Sequence, residues 1–308
     1  MIGHNHLGKN GRFGNQMFQY AVTRGIAAKH NYDWCIPDGP RTDDEFEDEE
    51  NQHKLFMAFK MGGVKTINMH PAPYKQEGSF TFDQDLFDNC EDNVNLYGYF
   101  QCEKYFKHIE DEIRKDFTFK DDIYEPCKEF ISQYGDDIIF IHVRRSDSTG
   151  RTEYFPIADI GWFEEMLEYF PKDVPVLILT DKLDWVKSQK LFDQDRFLLS
   201  EQREYSKNLV WNGRGKMEYT LSPWIDLCLM SLCNGGIVPN TTFGWWGAWL
   251  QKSKSKKIVY QHPYFGPIFT RQNEAYIHVR DMHPQDWIRG HLKEEHIDTV
   301  YTPSDNEV

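Results

Sequence analysis

The sequence predicts an α/β protein whose strands form parallel β-sheets. In the second half of the chain, strand-length apolar runs at 138–143 and 174–179 alternate with helical apolar stripes at 162–170 and 185–192. This alternation is typical of β-α-β units, which pair their strands in parallel. The 308 residues are enough for two domains of ordinary size, each with its own hydrophobic core.

Segment 138–147 combines an apolar run with charged residues at its end. The apolar run has the length of a buried parallel strand and ends in His142, which Arg144 and Arg145 follow. Open α/β sheets bind ligands at the carboxyl ends of their strands, and a guanidinium group contacts phosphate oxygens bidentately. These residues indicate a site for a phosphate-bearing ligand. A structural ion pair between Arg145 and Asp147 is the alternative.

A glycine-rich loop at 8–16 leads into a predicted helix, whose apolar face is formed by Phe18, Ala21, Val22, Gly25 and Ile26. The backbone of such a loop can approach a ligand closely, and Asn15 can cap the helix while the helix N-terminus faces an anion. Neither nucleotide-binding fingerprint is met. Asn10 stands where a P-loop requires Ser or Thr, and the glycine spacing is not G-x-G-x-x-G.

Polar residues also follow other predicted strands and open other helices. They are Thr180 and Asp181 after strand 174–179, Asp226 in a helix that Ser222 and Pro223 open, and Asn240, Thr241 and Thr242 after strand 236–239. Residues 244–250 then turn helical. The hydroxyls of Thr241 and Thr242 can cap that helix, or they can bind a phosphate at its N-terminus.

The remaining acidic motifs are interpreted mainly as surface features. The acidic run 43–50 predicts a solvated loop, with a metal site as the alternative. Asp83-Gln84-Asp85 and Asp193-Gln194-Asp195 match a D-x-D pattern that can hold a divalent cation, but neither follows a convincing buried strand, which favours surface acids. Between residues 57 and 106, aromatic and polar residues mix without a clear period.

Composition excludes several classes of protein. The net charge of -14 argues against nucleic acid or an anionic membrane as the main partner. No run of about 18 apolar residues and no export leader are found, so we expect a cytoplasmic protein without a membrane span. The 6 cysteines have no C-x-x-C spacing, which indicates neither a zinc site nor a disulfide framework.

Four segments, in this order along the chain, resemble the α1,2-fucosyltransferases. They are 11–21 (GRFGNQMFQYA), 142–147 (HVRRSD), 179–181 (LTD), and 226–250, which ends in the tryptophan-rich NTTFGWWGAWL. The resemblance extends from about residue 8 to residue 265. The chain has Thr180-Asp181-Lys182 where the family commonly has Ser-Asp-Asp, and Asn240-Thr241-Thr242 where it commonly has Asn-Ser-Ser or Asn-Ser-Thr.

The resemblance implies an α/β fold with two Rossmann-like domains facing across a cleft, the GT-B-like class. It implies metal-independent, inverting transfer of L-fucose from GDP-β-L-fucose to the 2-hydroxyl of a terminal galactose-type acceptor. GDP-fucose and a galactose-containing glycan are the expected partners, and no cofactor is expected. We expect an N-terminal domain at 1–134 with the glycine-rich loop and the acceptor side, a GDP-sugar-binding domain at 135–295, and a polar tail at 296–308.

The resemblance also assigns roles to residues of this chain. Arg144 is expected to bind the donor diphosphate, His142 and Asp226 to recognise guanine, and Thr242 to reach a phosphate, while Asn15 approaches the sugar from across the cleft. The expected donor-binding set is Gly14, Asn15, His142, Arg144, Thr180, Asp181, Asp226, Thr241, Thr242 and Phe243. The expected catalytic set is Arg144, Asn15 and Asp147.

Other interpretations stay open at this point. The acceptor hydroxyl is ideally helped by a base, and Asp147 and Glu153 are both candidates. A metal-dependent glycosyltransferase with one Rossmann-like domain, holding its cation with Asp83 and Asp85, is one alternative function. A non-catalytic sugar- or nucleotide-binding protein on the same scaffold is another.

Overall fold

The structure is a computed structural model of the chain. It describes residues 1–41, 53–69, 72–78, 80–135, 137–145, 152–199, 223–267 and 279–298. The chain divides into two compact units. The first comprises Met1–Lys120 and Asn273–Gln285, and the second comprises Asp121–Gln272 and Asp286–Val308.

The first unit contains a four-stranded parallel sheet in the order β2-β1-β4-β3. Its strands are short: β1 is Ile2–Gly3, β2 is Trp34–Cys35, β3 is Tyr74–Gln76 and β4 is Val94–Tyr97. The shortness of β3 and β4 explains why the sequence shows no clear period between residues 57 and 106. A strand of 2 to 4 residues carries too few side chains to establish an alternation.

Helix α1 (Phe13–His30) covers the sheet of the first unit. The predicted apolar face is confirmed, because Phe18, Ala21, Val22, Gly25 and Ile26 are all buried. Asn31 ends the helix in the left-handed conformation, with a φ of 57°. The other helices in the described part of this unit are α2 (Leu55–Ala58), α3 (Gln84–Asn89) and α4 (Glu110–Asp116), together with 3₁₀ turns at Glu103–Tyr105 and Lys107–Ile109.

The second unit contains a six-stranded parallel sheet in the order β10-β9-β8-β5-β6-β7. Its strands are β5 (Ile139–Val143), β6 (Val176–Thr180), β7 (Phe197–Leu199), β8 (Gly235–Val238), β9 (Lys257–His262) and β10 (Ile288–His291). Every residue of β5 and β6 is buried, as expected for strands covered on both faces. The predicted parallel sheet is confirmed, and β5 is one of its two central strands.

Among its described residues, the second unit has the helices α5 (Asp121–Ser132), α6 (Ile160–Leu167), α7 (Leu183–Lys187), α8 (Pro223–Leu232) and α9 (Thr242–Trp249). Short 3₁₀ turns lie at Lys190–Asp193 and Glu294–His296. The stripe predicted at 162–170 forms α6 and the turn after it, and its aromatic residues pack into the core of the sheet. Helix α5 precedes the predicted domain boundary at 134, yet it belongs to this unit because it packs against α8.

The tryptophan-rich block is part of the core of the second unit. Trp245, Trp246 and Trp249 lie on α9 and are at most 2% exposed. A side chain at Gly247 would place its Cβ 2.6 Å from the Cβ of Met230 on α8, so this glycine lets α8 and α9 pack closely. The block therefore fixes the position of α9, whose first residues follow β8.

The described residues include no helix that is both long and apolar enough to span a lipid bilayer. The cysteines, Cys35, Cys90, Cys102, Cys127, Cys228 and Cys233, are free thiols buried in the two units.

A pair of glycine substitutions tests the packing of α1. A Cβ at Gly25 would lie 2.2 Å from the backbone oxygen of Tyr105, which cannot move without shifting the chain. We expect Gly25→Ala to lower the free energy of unfolding by about 1–3 kcal/mol, the usual cost of overpacking. Gly62→Ala is the control, because nothing lies within 4 Å of the added Cβ. Equal melting temperatures for the two variants would contradict the packing described for α1.

Candidate functional site

The candidate site of the second unit lies at the carboxyl edge of the six-stranded sheet. Strands β8, β5 and β6 are parallel neighbours, so their carboxyl ends lie at the same edge. Arg144 follows β5, Thr180 ends β6, and Asn240 follows β8. Open α/β sheets bind ligands at such an edge. The structure thus brings together residues that are nearly 100 positions apart in the sequence.

The two adjacent arginines have different environments. The Arg145 side chain is 1% exposed, and it forms an ion pair with Asp298 and donates to the backbone oxygen of Ala158 at 3.3 Å. Its guanidinium carbon also lies 4.0 Å from the centre of the Trp185 ring. Arg145 is therefore part of the core. Asp147, its predicted partner, lies outside the described residues.

Arg144 remains accessible, with 23% of its side chain exposed. Its Nη1 atom lies 3.1 Å from Oδ2 of Asp181. The second carboxylate oxygen of Asp181 accepts a hydrogen bond from the backbone N–H of Arg145 at 2.9 Å. Asp181 therefore holds both the side chain of Arg144 and the backbone that follows it. Direct donor contact by Asp181 and Thr180 stays a prediction.

His142 is the polar residue within β5, and it is 6% exposed. Its pKa is lowered to about 4, mainly by burial and also by the positive charge of Arg144, while Asp181 opposes the shift. The imidazole is therefore neutral near pH 7. Its ring lies 5.7 Å from the ring of Phe243, and its Nδ1 has no hydrogen-bond partner among the described residues. A Cβ at Gly244 would lie 2.8 Å from Nδ1, so the start of α9 packs directly on this ring.

The start of α9 is capped by Thr241. The Thr241 hydroxyl accepts a hydrogen bond from the backbone N–H of Phe243 at 3.2 Å, which confirms the capping alternative for this residue. Thr242 is the first residue of the helix. The side-chain amide of Asn240 donates to the backbone oxygens of Tyr264, at 3.0 Å, and Pro156, at 3.2 Å, so Asn240 anchors the loop between β8 and α9.

Two further residues with predicted roles, Asp226 and Glu153, also lie in the second unit. Asp226 lies in the first turn of α8 and is 8% exposed. Glu153, a candidate base, lies in an exposed turn. The roles assigned to both residues by the resemblance stay predictions.

The candidate site of the first unit contains Asn15. The N-cap of α1 is Arg12, without a side-chain capping bond, and Asn15 is the third helical residue. The interpretation of Asn15 as the cap is therefore wrong. Its Oδ1 instead accepts a hydrogen bond from Nε2 of Gln101 at 2.8 Å. Gly11, at a φ of 82°, leaves room for the Asn15 side chain, because a Cβ at position 11 would lie 2.3 Å from Nδ2 of Asn15.

Gln101 belongs to a loop, 98–101, that directly follows β4. The backbone φ angles are 151° at Gly98 and 50° at Phe100, both in the region that L side chains rarely adopt. The Glu77 carboxylate accepts from the backbone N–H of Tyr99 at 2.7 Å and of Phe100 at 2.8 Å. Sequence analysis missed this loop and Glu77. Gly98, directly after segment 94–97, is a local signal of the loop in the sequence.

Glu77 is 6% exposed, and burial raises its pKa to about 7 against the opposing effect of its two backbone hydrogen bonds. The backbone oxygen of Gly98 accepts from the side chains of Gln19, at 3.1 Å, and His4, at 3.2 Å. Side chains from α1 and from the residues that directly follow β1 and β3 therefore hold this one loop.

The acids of both D-x-D motifs are exposed. Asp83 is the N-cap of α3, and its carboxylate accepts from the backbone N–H of Leu86 at 2.9 Å. Asp193 and Asp195 are exposed, as predicted for surface acids. Within the described part of the chain, no three His, Cys, Asp or Glu side chains are grouped so that they could hold a metal ion. The acidic run 43–50 lies outside that part.

Comparison with known proteins identifies a family and several relatives. The model of the family described as Glycosyl transferase family 11 matches residues 69–280. The Alpha-1,2-colitosyltransferase of Escherichia coli is 21% identical over 300 residues, which cover 91% of this chain and 96% of the relative. The O-antigen biosynthesis glycosyltransferase WbnK of Escherichia coli is 23% identical over 132 residues, which cover 41% of this chain and 38% of the relative.

Among solved structures, fucosyltransferase NodZ from Bradyrhizobium is similar, with a TM-score of 0.51 and 14% sequence identity. The match covers 81% of this chain and 93% of the other. The similarity shows a shared fold. Together with the two parallel sheets, it confirms the predicted α/β, GT-B-like fold class.

The pKa of Glu77 predicts a pH dependence of stability. Because that pKa is raised from 4.5 to about 7, the folded protein keeps a proton that the unfolded chain releases between these values. The contribution of Glu77 to the free energy of unfolding therefore falls as the pH rises through this interval, by at most about 1.4 kcal/mol per pH unit. We expect the difference in melting temperature between the wild type and Glu77→Gln to shrink between pH 5 and pH 8.

The comparison with the variant is necessary because buried histidines act in the opposite direction. Burial lowers the pKa of His4, His53 and His142 to about 4, so their contribution to stability is lost as the pH falls from 6.5 toward 4. These histidines are present in both proteins, and their effect cancels in the difference. Glu91→Gln, at an exposed position, is the control. A difference that widens with pH would show that the native loop prefers the Glu77 carboxylate.

Proposed function

The chain belongs to glycosyl transferase family 11 and is α1,2-fucosyltransferase-like, and from this premise we propose its reaction. It transfers L-fucose from GDP-β-L-fucose to the 2-hydroxyl of a terminal galactose-type acceptor, with inversion and an α1,2 linkage. The observation that carries the proposal is the accessible guanidinium of Arg144 at the carboxyl edge of the six-stranded sheet. A donor diphosphate is the part of this substrate that needs such a cation.

Arg144 acts on the charge that develops during the reaction. When the bond between fucose C1 and the phosphate oxygen breaks, GDP leaves with an additional negative charge. Arg144 and the backbone N–H groups at the start of α9 stabilise this charge in a fixed geometry. A well-placed donor of this kind is typically worth about 3 kcal/mol of the activation barrier. Asp181 keeps the guanidinium in position before the donor binds.

The guanine end of the donor is assigned to His142 and Asp226. A neutral imidazole can donate from one ring nitrogen and accept at the other, and a carboxylate accepts only, which suits a base that carries several N–H groups. Gly14, Thr180, Thr241, Thr242 and Phe243 complete the proposed donor site. Asn15 is assigned to the sugar, because an uncharged amide adds little to the binding of a charged diphosphate.

Inversion requires the acceptor hydroxyl to attack fucose C1 from the face opposite the phosphate. A base that takes up the hydroxyl proton assists the attack. Asp147 and Glu153 are the two candidates, and individual Asp→Asn and Glu→Gln variants separate them. The variant of the true base loses turnover while it retains GDP affinity.

Colitose is a second candidate for the transferred sugar. The colitosyltransferase relative aligns with 91% of this chain, and colitose differs from fucose by the absence of the 3-hydroxyl group. Turnover of the two GDP-sugars under the same conditions decides between them.

A metal-dependent reaction would be indicated if an excess of chelator abolished turnover and added divalent cation restored it. A purely binding function would be indicated if GDP were never released in the presence of acceptors.

Nucleotide selectivity tests the donor assignment without an acceptor. A ligand that binds only the folded state raises the melting temperature by mass action. We expect GDP to raise it by several degrees at a concentration about 100 times its Kd, and UDP at the same concentration to have little effect. Equal protection by both nucleotides would contradict a site built for guanine.

The two arginines provide a matched pair of substitutions. Arg144→Lys is expected to lower kcat roughly 10- to 100-fold, because a lysine cannot contact the diphosphate bidentately. Arg145→Lys is the control. It loses the buried contacts with Asp298, Ala158 and Trp185, so it is expected to lower the melting temperature more than the kcat of the folded fraction. Near-normal turnover in folded Arg144→Lys would contradict the role of Arg144.

A further inference from the structure

Two side-chain amides in the first unit are joined by a hydrogen bond. The Nε2 of Gln101 donates to the Oδ1 of Asn15 at 2.8 Å. Gln101 is 6% exposed, and its Oε1 is buried without a hydrogen-bond partner among the described residues. Asn15 is partly exposed. A buried amide oxygen without a partner is unfavourable, so a ligand group that donates a hydrogen bond to it is bound favourably.

The unused atoms of this pair determine what it can bind. Each amide has an oxygen that accepts and an NH₂ group that donates, and the bond between them uses one of each. The pair therefore still presents one amide oxygen and one NH₂ group. This holds when oxygen and nitrogen are exchanged in both amides, because the bond then runs in the opposite direction.

A neighbouring acceptor and donor are complementary to a hydroxyl group. A hydroxyl donates one hydrogen bond and accepts others, so it can satisfy both amides at once. A phosphate oxygen would use only the donor, and a metal cation would use only the acceptor. The composition of the pair therefore favours an uncharged, hydroxyl-bearing ligand such as a sugar.

We propose that Asn15 and Gln101 together form a binding site for a sugar hydroxyl, with Gln101 as a substrate-binding residue. The inference rests on the proposed glycosyl transfer and deepens it, since it assigns a second residue and a defined chemical group to the sugar. The hydroxyl belongs to the fucosyl group of the donor or to the acceptor glycan. Both sources present the same chemistry to the amides.

The loop that carries Gln101 is built to hold it in one position. Gly98 and Phe100 have positive φ angles, and Glu77 accepts hydrogen bonds from the two backbone N–H groups between Gly98 and Gln101. The backbone oxygen of Phe100 accepts from the backbone N–H of Cys102 at 2.8 Å. A strained loop persists when its surroundings determine it this strongly, and such loops are frequent at ligand sites.

A purely structural role for Gln101 would duplicate existing contacts. The side chains of Gln19 and His4 already connect the loop to α1 and to the end of β1 through the oxygen of Gly98. These contacts hold the loop without involving the side-chain amide of Gln101.

Gln101→Met tests the proposal, because methionine keeps the length of the side chain and removes both hydrogen-bonding groups. Gln251→Met is the matched control. Gln251 is also buried with an unpaired Oε1, but it lies after α9 and donates to the first residue of β8, at the opposite end of that strand from its carboxyl edge. If Gln101→Met does not fold, Gln101→Ala replaces it. Melting temperature, GDP affinity, kcat and both KM values are measured for each protein.

We expect Gln101→Met to lower kcat/KM for transfer at least tenfold and to change the Kd for GDP less than twofold, because GDP carries no sugar hydroxyl beyond its ribose. Asn15→Ala is expected to behave in the same way. The double variant should lose less than the product of the two single losses, because both amides act on one group. Gln251→Met should lose stability alone.

Two additional measurements identify the source of the hydroxyl. A fucosyl hydroxyl is indicated if the slow hydrolysis of GDP-fucose without acceptor falls in parallel with transfer. An acceptor hydroxyl is indicated if hydrolysis is unchanged and the KM for the acceptor rises. Either result supports the site.

The proposal is overturned if Gln101→Met loses stability like Gln251→Met while kcat and both KM values stay within twofold of the wild type. In that case the proposed function stands, because the wild type still transfers the sugar. A wild type that neither binds nor turns over GDP-fucose overturns the proposed function and this inference together.

Discussion

The ion pair between Arg144 and Asp181 is the contact on which the proposed chemistry of the second unit depends. One carboxylate oxygen faces the Arg144 guanidinium at 3.1 Å, and the other accepts from the backbone N–H of Arg145 at 2.9 Å. Asp181 can do this because β5 and β6 are parallel neighbours whose carboxyl ends lie side by side. Arg145 is turned into the core, so we assign stability to Arg145 and the proposed chemistry to Arg144.

The first unit uses the same physical principle with a different carboxylate. Glu77 follows β3 and holds the strained loop after β4 through two backbone N–H groups. In both units, a carboxylate at a strand end fixes the backbone that follows a neighbouring strand. Burial of the Glu77 carboxylate removes water from its charge, and this desolvation raises its pKa. Both carboxylates hold residues that we assign to the substrate, Arg144 in one unit and Gln101 in the other.

Sequence reasoning succeeded for elements that are long enough to show an apolar pattern. Helix α1 and strands β5 and β6 each carry a clear pattern, and the charged residues at their ends could be placed from it. It failed for the four-stranded sheet, since strands of 2 to 4 residues show no period. Asn15 was misread as a helix cap because its actual partner, Gln101, is 86 positions away in the chain. Glu77 gave no signal because burial is a tertiary property.

The most direct test of the proposed reaction is the structure of its product. The wild type is incubated with GDP-fucose and a panel of galactose-terminated acceptors in excess chelator, and the linkage is determined by NMR spectroscopy. The account predicts one new α-anomeric fucose attached to O2 of galactose. A β-anomeric product, attachment to another hydroxyl, or transfer only from a uridine-linked sugar would contradict it.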